Sequence, residues 1–279
     1  MMTIISGVGL LLLTLAVFSI FSLKFPKGSQ AMSGMANAAV ASFLIEAVHK
    51  YITGDLLGIA FLGEVGATAG SLGGVAAGIM VPLSMGVNPV FAVVGGLACG
   101  GYGILPGFIA GYIVGLIAPY IEKYLPTGLD IILGSLTIAP MARLFALVVD
   151  PAVNSILGMI GGTITAAADQ SPVIMGFLLG GIMKMICTSP LSSMALTAML
   201  GLTGLPMGIA AIACFGGSFT NGMVFHKMGY GDKSNVIAVM LEPLTQAHIV
   251  TAHPIPIFVS NFFGGGLAGL AAAMLGIVN

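Results

Sequence analysis

The chain has 279 residues, of which 58% are hydrophobic and only 6% are charged, whereas about 25% of the residues of an ordinary soluble domain carry a charge. A water-soluble fold would need far more polar side chains to cover its surface. The formal net charge of −1 argues against a nucleic-acid-binding protein and against a polybasic protein of the membrane surface. The near-continuous apolar runs predict an all-α, polytopic integral membrane bundle rather than a β-barrel, whose strands would alternate apolar and polar residues.

These runs predict about eight to ten transmembrane segments, some of them broken or re-entrant, in a single transport domain over residues 1–279. Residues 3–23 are predicted to be a retained first helix, and Lys24 and Lys27 after it place that end in the cytoplasm by the positive-inside rule. The lysines of the polar loop His226–Asn235 indicate the same side. Residues 31–50 are predicted either as a span or as an interfacial helix. Further apolar segments, several of them too short or too broken for clean spans, lie at 56–85, 89–102, 104–121, 129–149, 152–168, 172–187, 190–225, 235–250 and 254–277.

Polar side chains inside apolar runs are costly, so they usually face a cavity or a partner and mark function. The densest group begins at Glu242, with Thr245 and Gln246 three or four residues on, where a helix would place them on one face. His248 and His253 follow, and prolines interrupt the segment. Acid, hydroxyl, amide and imidazole together suit a polyhydroxylated ligand. The alternative is a loop at the water interface, where the same residues are solvated.

A second polar group surrounds two further breaks, and its candidate ligand-binding residues are Asp169, Gln170, Ser171, Ser189 and Ser192. Ser-Pro steps of this kind occur in the broken helices of transporters, whose ends bind substrate groups. The alternative is a turn followed by an ordinary helix start. Lys184 predicts a pair with Asp169, and Asn221 is an isolated candidate.

Other polar residues indicate structure rather than chemistry. Arg143 and Asp150 lie seven residues apart, and we predict a structural ion pair between them. The three cysteines, Cys99, Cys187 and Cys214, are far apart and lack metal-binding spacing, so we expect buried thiols and neither a metal nor another cofactor. The sequence has no phosphate-binding loop, which argues against an ATP-driven motor.

Three stretches carry a resemblance to a known family. They are Asp169-Gln170-Ser171-Pro172-Val173-Ile174-Met175-Gly176; the run from Thr188-Ser189-Pro190-Leu191-Ser192-Ser193-Met194-Ala195-Leu196-Thr197 to Pro206; and Glu242-Pro243-Leu244-Thr245-Gln246 with Pro254-Ile255-Pro256. From about residue 30 onwards, the chain resembles the EIIC-type membrane proteins of the bacterial sugar phosphotransferase system, specifically the perfringolysin-regulator-like branch.

The resemblance implies a multi-pass permease of the bacterial cell membrane that binds a sugar or polyol, forms a homodimer and works by alternating access. A separate IIB protein is implied as the phosphoryl donor, because no IIA or IIB domain occurs in the sequence and no residue is an evident phosphoryl carrier. Glu242 resembles the acidic residue that holds a sugar hydroxyl in other IIC families.

Two other functions fit the residues. One is a proton-coupled transporter or channel for another small solute, with Glu242, His248 and His253 as a proton relay. The other is a membrane sensor that regulates gene expression without net transport and docks a cytoplasmic partner on its polar loops.

Overall fold

The structure is a computed structural model, and it describes residues 2–126, 129–168, 170–189, 191 and 202–278. Over these residues it contains helices, turns and irregular segments and no strand, which confirms the predicted all-α membrane bundle. The chain divides into two compact units. The terminal unit comprises Met1–Phe25 with Ser155–Asn279, and the central unit comprises Pro26–Asn154.

The described helices follow one another closely along the chain. In order they are α1 (Met2–Lys24), α2 (Gly28–Ala39) with two π-helical segments after it (Val40–Leu44 and Glu46–Leu56), α3 (Ala60–Ser71), α4 (Gly73–Ser84), α5 (Pro89–Ala98), α6 (Ile104–Tyr124), α7 (Asp130–Ala168), α8 (Pro172–Cys187), α9 (Gly204–Met228), α10 (Lys233–Leu241), a 3-10 turn (Pro243–Gln246), α11 (Ala247–Ala252) and α12 (Pro254–Met274).

Six helical stretches in the described residues are long and apolar enough to cross a bilayer. A seventh crossing results if α3 and α4, which are bent by 61° at their junction, form one broken span. The two shorter apolar helices are α5 and α8. The stretch Gly28–Leu56 is one of the six, so the segment predicted as either a span or an interfacial helix has the length of a span.

Helix α7 differs from the sequence prediction. Two spans, 129–149 and 152–168, were expected, but one continuous helix of 39 residues contains both Pro140 and Pro151. Neighbouring helices and side chains can satisfy the backbone groups that a proline frees, so prolines are tolerated inside membrane helices. At 1.5 Å per residue the helix is about 58 Å long, which exceeds the roughly 30 Å of a hydrocarbon core.

The central unit packs around a buried aromatic ring. Phe91 of α5 is completely buried in an apolar cluster with Val114 of α6 and with Ile138 and Ala142 of α7. The core of this unit is therefore built between helices α5, α6 and α7.

Arg143 stabilises the end of a helix in the central unit. Its Nη1 donates to the carbonyl oxygens of Ala98 and Gly100, at 3.2 and 2.6 Å, and its guanidinium lies 4.4 Å from the centroid of the Tyr102 ring. The predicted ion pair with Asp150 is wrong, because Arg143 satisfies carbonyls at the end of α5 that have no helical donor. Asp150 instead accepts a hydrogen bond from Asn154 Nδ2 at 3.0 Å.

In the terminal unit, α8 and α12 run antiparallel with their backbones in contact. A Cβ atom on Gly176 would lie 2.8 Å from the Gly269 carbonyl oxygen, and one on Gly180 would lie 2.5 Å from the Gly265 carbonyl oxygen. Small residues four positions apart permit this approach between membrane helices. The glycines therefore fix which side chains of α8 and α12 lie level with each other.

This packing predicts opposite responses to two glycine substitutions. Gly180→Ala should destabilise the protein by about 1–3 kcal/mol, because the added methyl group overpacks the contact. Gly158→Ala on α7 should leave the stability unchanged or raise it, because a Cβ there meets no atom within 4 Å and alanine has the higher helix propensity. Thermal denaturation of the purified variants in one detergent measures both. An equal effect of the two substitutions would contradict the predicted close contact.

Candidate ligand-binding site

The predicted helix break after Glu242 is present in the structure. Helix α10 ends at Leu241, Glu242 has an extended backbone, and Pro243 begins a 3-10 turn. Proline has no N–H group and cannot continue the hydrogen-bond ladder of α10. The Glu242 Oε1 atom instead accepts the Leu244 N–H at 3.3 Å, so one carboxylate oxygen caps the new turn.

Thr245 and Gln246 are tied to their surroundings by hydrogen bonds. Thr245 Oγ1 donates to the Glu242 carbonyl oxygen at 2.7 Å and accepts from Gln246 Nε2 at 3.3 Å. Gln246 Oε1 accepts from Asn235 Nδ2 at 2.8 Å, and Asn235 also forms the capping box of α10 with Asp232. These bonds position the turn that carries Glu242 and connect it to the polar loop.

The two predicted histidines have different environments. His248 is half-buried, and its Nδ1 atom is buried without a hydrogen-bond partner among the described residues. The ring of His253 stacks on Tyr230, with centroids 4.0 Å apart and planes 8° apart. No group of three or more His, Cys, Asp or Glu side chains in the described part of the chain is arranged to hold a metal ion.

The second predicted group is divided between the two ends of α8. Asp169 and Ser192 lie outside the described residues. At the start of α8, Gln170 Nε2 donates to the Ala166 carbonyl oxygen at 3.1 Å, and Ser171 occupies the N-cap position. At its other end, Ser189 Oγ donates to the Ile186 carbonyl oxygen at 2.7 Å. Sixteen residues of helix, about 24 Å, separate the two ends, so these residues do not form one site.

Lys184, in the last turn of α8, is completely buried. Its Nζ atom donates to the Cys214 carbonyl oxygen and to Ser218 Oγ of α9, both at 3.1 Å. A Cβ atom on Gly217 would lie 2.5 Å from Lys184 Cδ, and one on Gly265 would lie 3.0 Å from Lys184 Cγ. The glycines of α9 and α12 therefore make room for this lysine.

One turn further along α8, Thr188 lies between two helices that each present an asparagine. Asn221 Nδ2 of α9 donates to Thr188 Oγ1 at 3.3 Å. Gly265 of α12 lies against Gly180 and Lys184. Asn261 precedes Gly265 by one turn and shares its face, so in the antiparallel register it lies between the levels of Lys184 and Thr188. We refer to Lys184, Thr188, Ser218, Asn221 and Asn261 as the polar layer; each is at most 8% exposed.

The polar layer contains amide groups without partners. Asn221 Oδ1 and both Oδ1 and Nδ2 of Asn261 are buried and make no hydrogen bond to any described residue. Each such group costs about 1–3 kcal/mol when it is left unsatisfied. A polar ligand bound in this layer would form hydrogen bonds with these donors and acceptors.

Glu242 belongs to the same region of the terminal unit. A Cβ atom on Gly222 of α9 would lie 2.5 Å from Met240 Cγ, so the end of α10 packs beside Asn221. The Lys184 ammonium and the Cys187 thiol are within electrostatic reach of the Glu242 carboxylate. Of the predicted residues, the structure thus brings Glu242, Asn221 and Ser189 toward one region. The sequence analysis did not identify Asn261, because no charged residue lies near it in the sequence.

The terminal unit also contains a cavity of about 430 Å³ beside α1 and α12. It is lined only by apolar residues, among them Leu12, Met185, Phe258 and Phe262. A polyhydroxylated ligand would lose its hydrogen bonds to water there without gaining new ones, so we assign the candidate site to the polar layer and Glu242.

Comparison with known proteins agrees with the sequence resemblance. Residues 29–279 match the family model described as "Phosphotransferase system, EIIC". No curated protein matches the chain, and no solved structure matches it. The family match covers nearly the whole chain and coincides with the membrane-spanning helices. The chain therefore belongs to the EIIC family of the phosphotransferase system and is a multi-pass membrane component of that transport system.

Proposed function

We propose that this chain is the IIC permease of a phosphotransferase system for a sugar or polyol, with residues 1–279 acting as one transport domain. The observation that carries this proposal is the polar layer, in which buried amide atoms of Asn221 and Asn261 have no partner among the described residues. A polyhydroxylated substrate supplies donors and acceptors in the numbers that such a layer needs. The family membership supports the same class of function.

The candidate residues take different roles in this proposal. Glu242 and Asn221 bind substrate hydroxyl groups, and Asn261 binds a further one from α12. Thr245 and Gln246 hold the turn that presents Glu242, since their side chains are engaged in the hydrogen bonds of that turn. His248 adds a buried ring nitrogen to which no described residue forms a hydrogen bond.

Transport in this proposal follows alternating access. Lys184, Thr188 and Asn261 are inaccessible to solvent in the structure, so substrate reaches the polar layer only when the helices around it move apart. The chain works as a homodimer in the bacterial cell membrane. A separate IIB protein phosphorylates the substrate on the cytoplasmic side, and the polar loop between α9 and α10 is a candidate docking site for it, because Asn235 connects this loop to Gln246.

Substitution of Glu242 tests the binding site. Glu242→Gln should weaken binding of the cognate sugar about 10- to 100-fold, because a hydrogen bond to a charged acceptor contributes about 1.5–3 kcal/mol. Titration of the purified protein with a panel of sugars and polyols measures the affinity. Glu122→Gln is the matched control, since Glu122 is exposed at the end of α6. The proposal would be contradicted if Glu242→Gln bound the sugar with unchanged affinity, or if no sugar or polyol of the panel bound to the unaltered protein.

The fate of the transported solute separates the IIC function from proton-coupled transport. Membrane vesicles that contain this chain should accumulate the sugar in phosphorylated form when the cytoplasmic phosphotransferase proteins and phosphoenolpyruvate are inside. Accumulation should persist when a protonophore dissipates the pH gradient, because the phosphoryl donor drives uptake. Mass spectrometry of the vesicle contents identifies the product. Unmodified solute whose uptake stops on addition of the protonophore would show that the relay hypothesis is correct instead.

A further inference from the structure

The buried lysine of the polar layer forms no ion pair with any described acidic side chain. Of the described residues, only Glu46 and Lys50 bring an acidic and a basic side chain within 4 Å of each other, at 3.2 Å. Lys184 Nζ makes two hydrogen bonds, to a carbonyl and to a hydroxyl oxygen, whereas an ammonium group has three donors. A buried cation without an anion is strongly unfavourable, so this group needs an explanation.

The predicted partner Asp169 lies outside the described residues, so its pairing with Lys184 stays a prediction. Lys184 lies in the last turn of α8, about 18 Å along the helix axis from Pro172. The other acidic residues of the terminal unit are Asp232, which caps α10, and Glu242, whose Oε1 caps the 3-10 turn.

The helices around Lys184 are built to hold it. Glycines 217 and 265 occupy the two positions where any side chain would overlap the lysine stem. Lys184 Nζ bonds to Ser218 on α9, and Asn221 lies about one turn further along that helix. The amide atoms of Asn221 and Asn261 that have no partner among the described residues include both a donor and acceptors. A cation and neutral polar groups at neighbouring levels match a molecule that carries one negative charge beside several hydroxyl groups.

We propose that the substrate is a sugar acid, a monosaccharide-sized polyol with one carboxylate, and that Lys184 binds the carboxylate while Asn221 and Asn261 bind hydroxyl groups. This inference rests on the permease function proposed above. Lys184 is the one basic residue of the polar layer, and one lysine balances one negative charge. A singly charged carboxylate therefore fits better than a doubly charged phosphate group.

Matched pairs of ligands test this inference on the full-length protein in detergent or lipid nanodiscs. Suitable pairs are glucose with glucuronate, galactose with galacturonate, and sorbitol with gluconate, each measured by calorimetric titration at one ionic strength. In at least one pair the acid should bind about tenfold or more tightly than its neutral partner, because hydrogen bonds between charged groups are the stronger ones.

Lys184→Met should remove that preference, since methionine keeps a long unbranched apolar side chain and lacks the charge. The readout is the ratio of the two affinities within each pair, which should fall to about one in this variant. Lys227→Met is the control, because Lys227 is exposed at the end of α9, and it should retain the preference. If Lys184→Met does not purify as a folded protein, the unaltered protein still tests the sugar-acid assignment, through its relative affinity for each acid and its neutral partner.

The outcomes separate this inference from the function on which it rests. Neutral sugars that bind as tightly as their acids, or an acid preference that survives in Lys184→Met, would overturn the sugar-acid assignment and leave the permease function standing. A protein that binds neither the acids nor the neutral partners would overturn both.

Discussion

The structure depends on one constraint: polar groups that are kept away from water must find partners within the protein. Most of the chain meets it through helical hydrogen bonds, and the breaks meet it through local caps such as the one Glu242 forms at Leu244. Arg143 serves the end of α5 in the same way. In the described part of the chain the polar layer is the clearest exception, because two asparagines have amide atoms without a hydrogen bond and Lys184 forms no ion pair. That exception is the basis for the candidate site.

The close approach of α8 and α12 makes the exception possible. Gly180 and Gly265 bring the two backbones together, and Gly217 of α9 leaves space for the stem of Lys184. Three helices thereby place a cation and two amides at neighbouring levels. A substrate that binds this layer would draw the three helices together, and its release requires them to separate. In the proposed permease, substrate binding and helix movement are therefore coupled through the same contacts.

Features that depend on local sequence could be predicted, whereas contacts between distant segments could not. The membrane helices and the break at Glu242–Pro243 follow from apolar runs and proline chemistry, which are local. Asn261 escaped notice because no proline or charge surrounds it, and only the register of α12 against α8 places it between the levels of Lys184 and Thr188. The pairing of Arg143 failed because its partners, the carbonyls of Ala98 and Gly100, are backbone groups that a sequence pattern does not reveal.

The central claim, that the polar layer binds the substrate, is tested most directly by the chain's own cysteines. Cys187 adjoins Thr188, and the Cys214 carbonyl accepts the Lys184 hydrogen bond, whereas Cys99 is buried in the central unit. Mass spectrometry can follow the alkylation of each thiol by a small permeant reagent. We expect a bound sugar acid to slow the alkylation of Cys187 and Cys214 and to leave the rate at Cys99 unchanged. A ligand that binds without changing Cys187 and Cys214, or that protects all three thiols equally, would contradict the account.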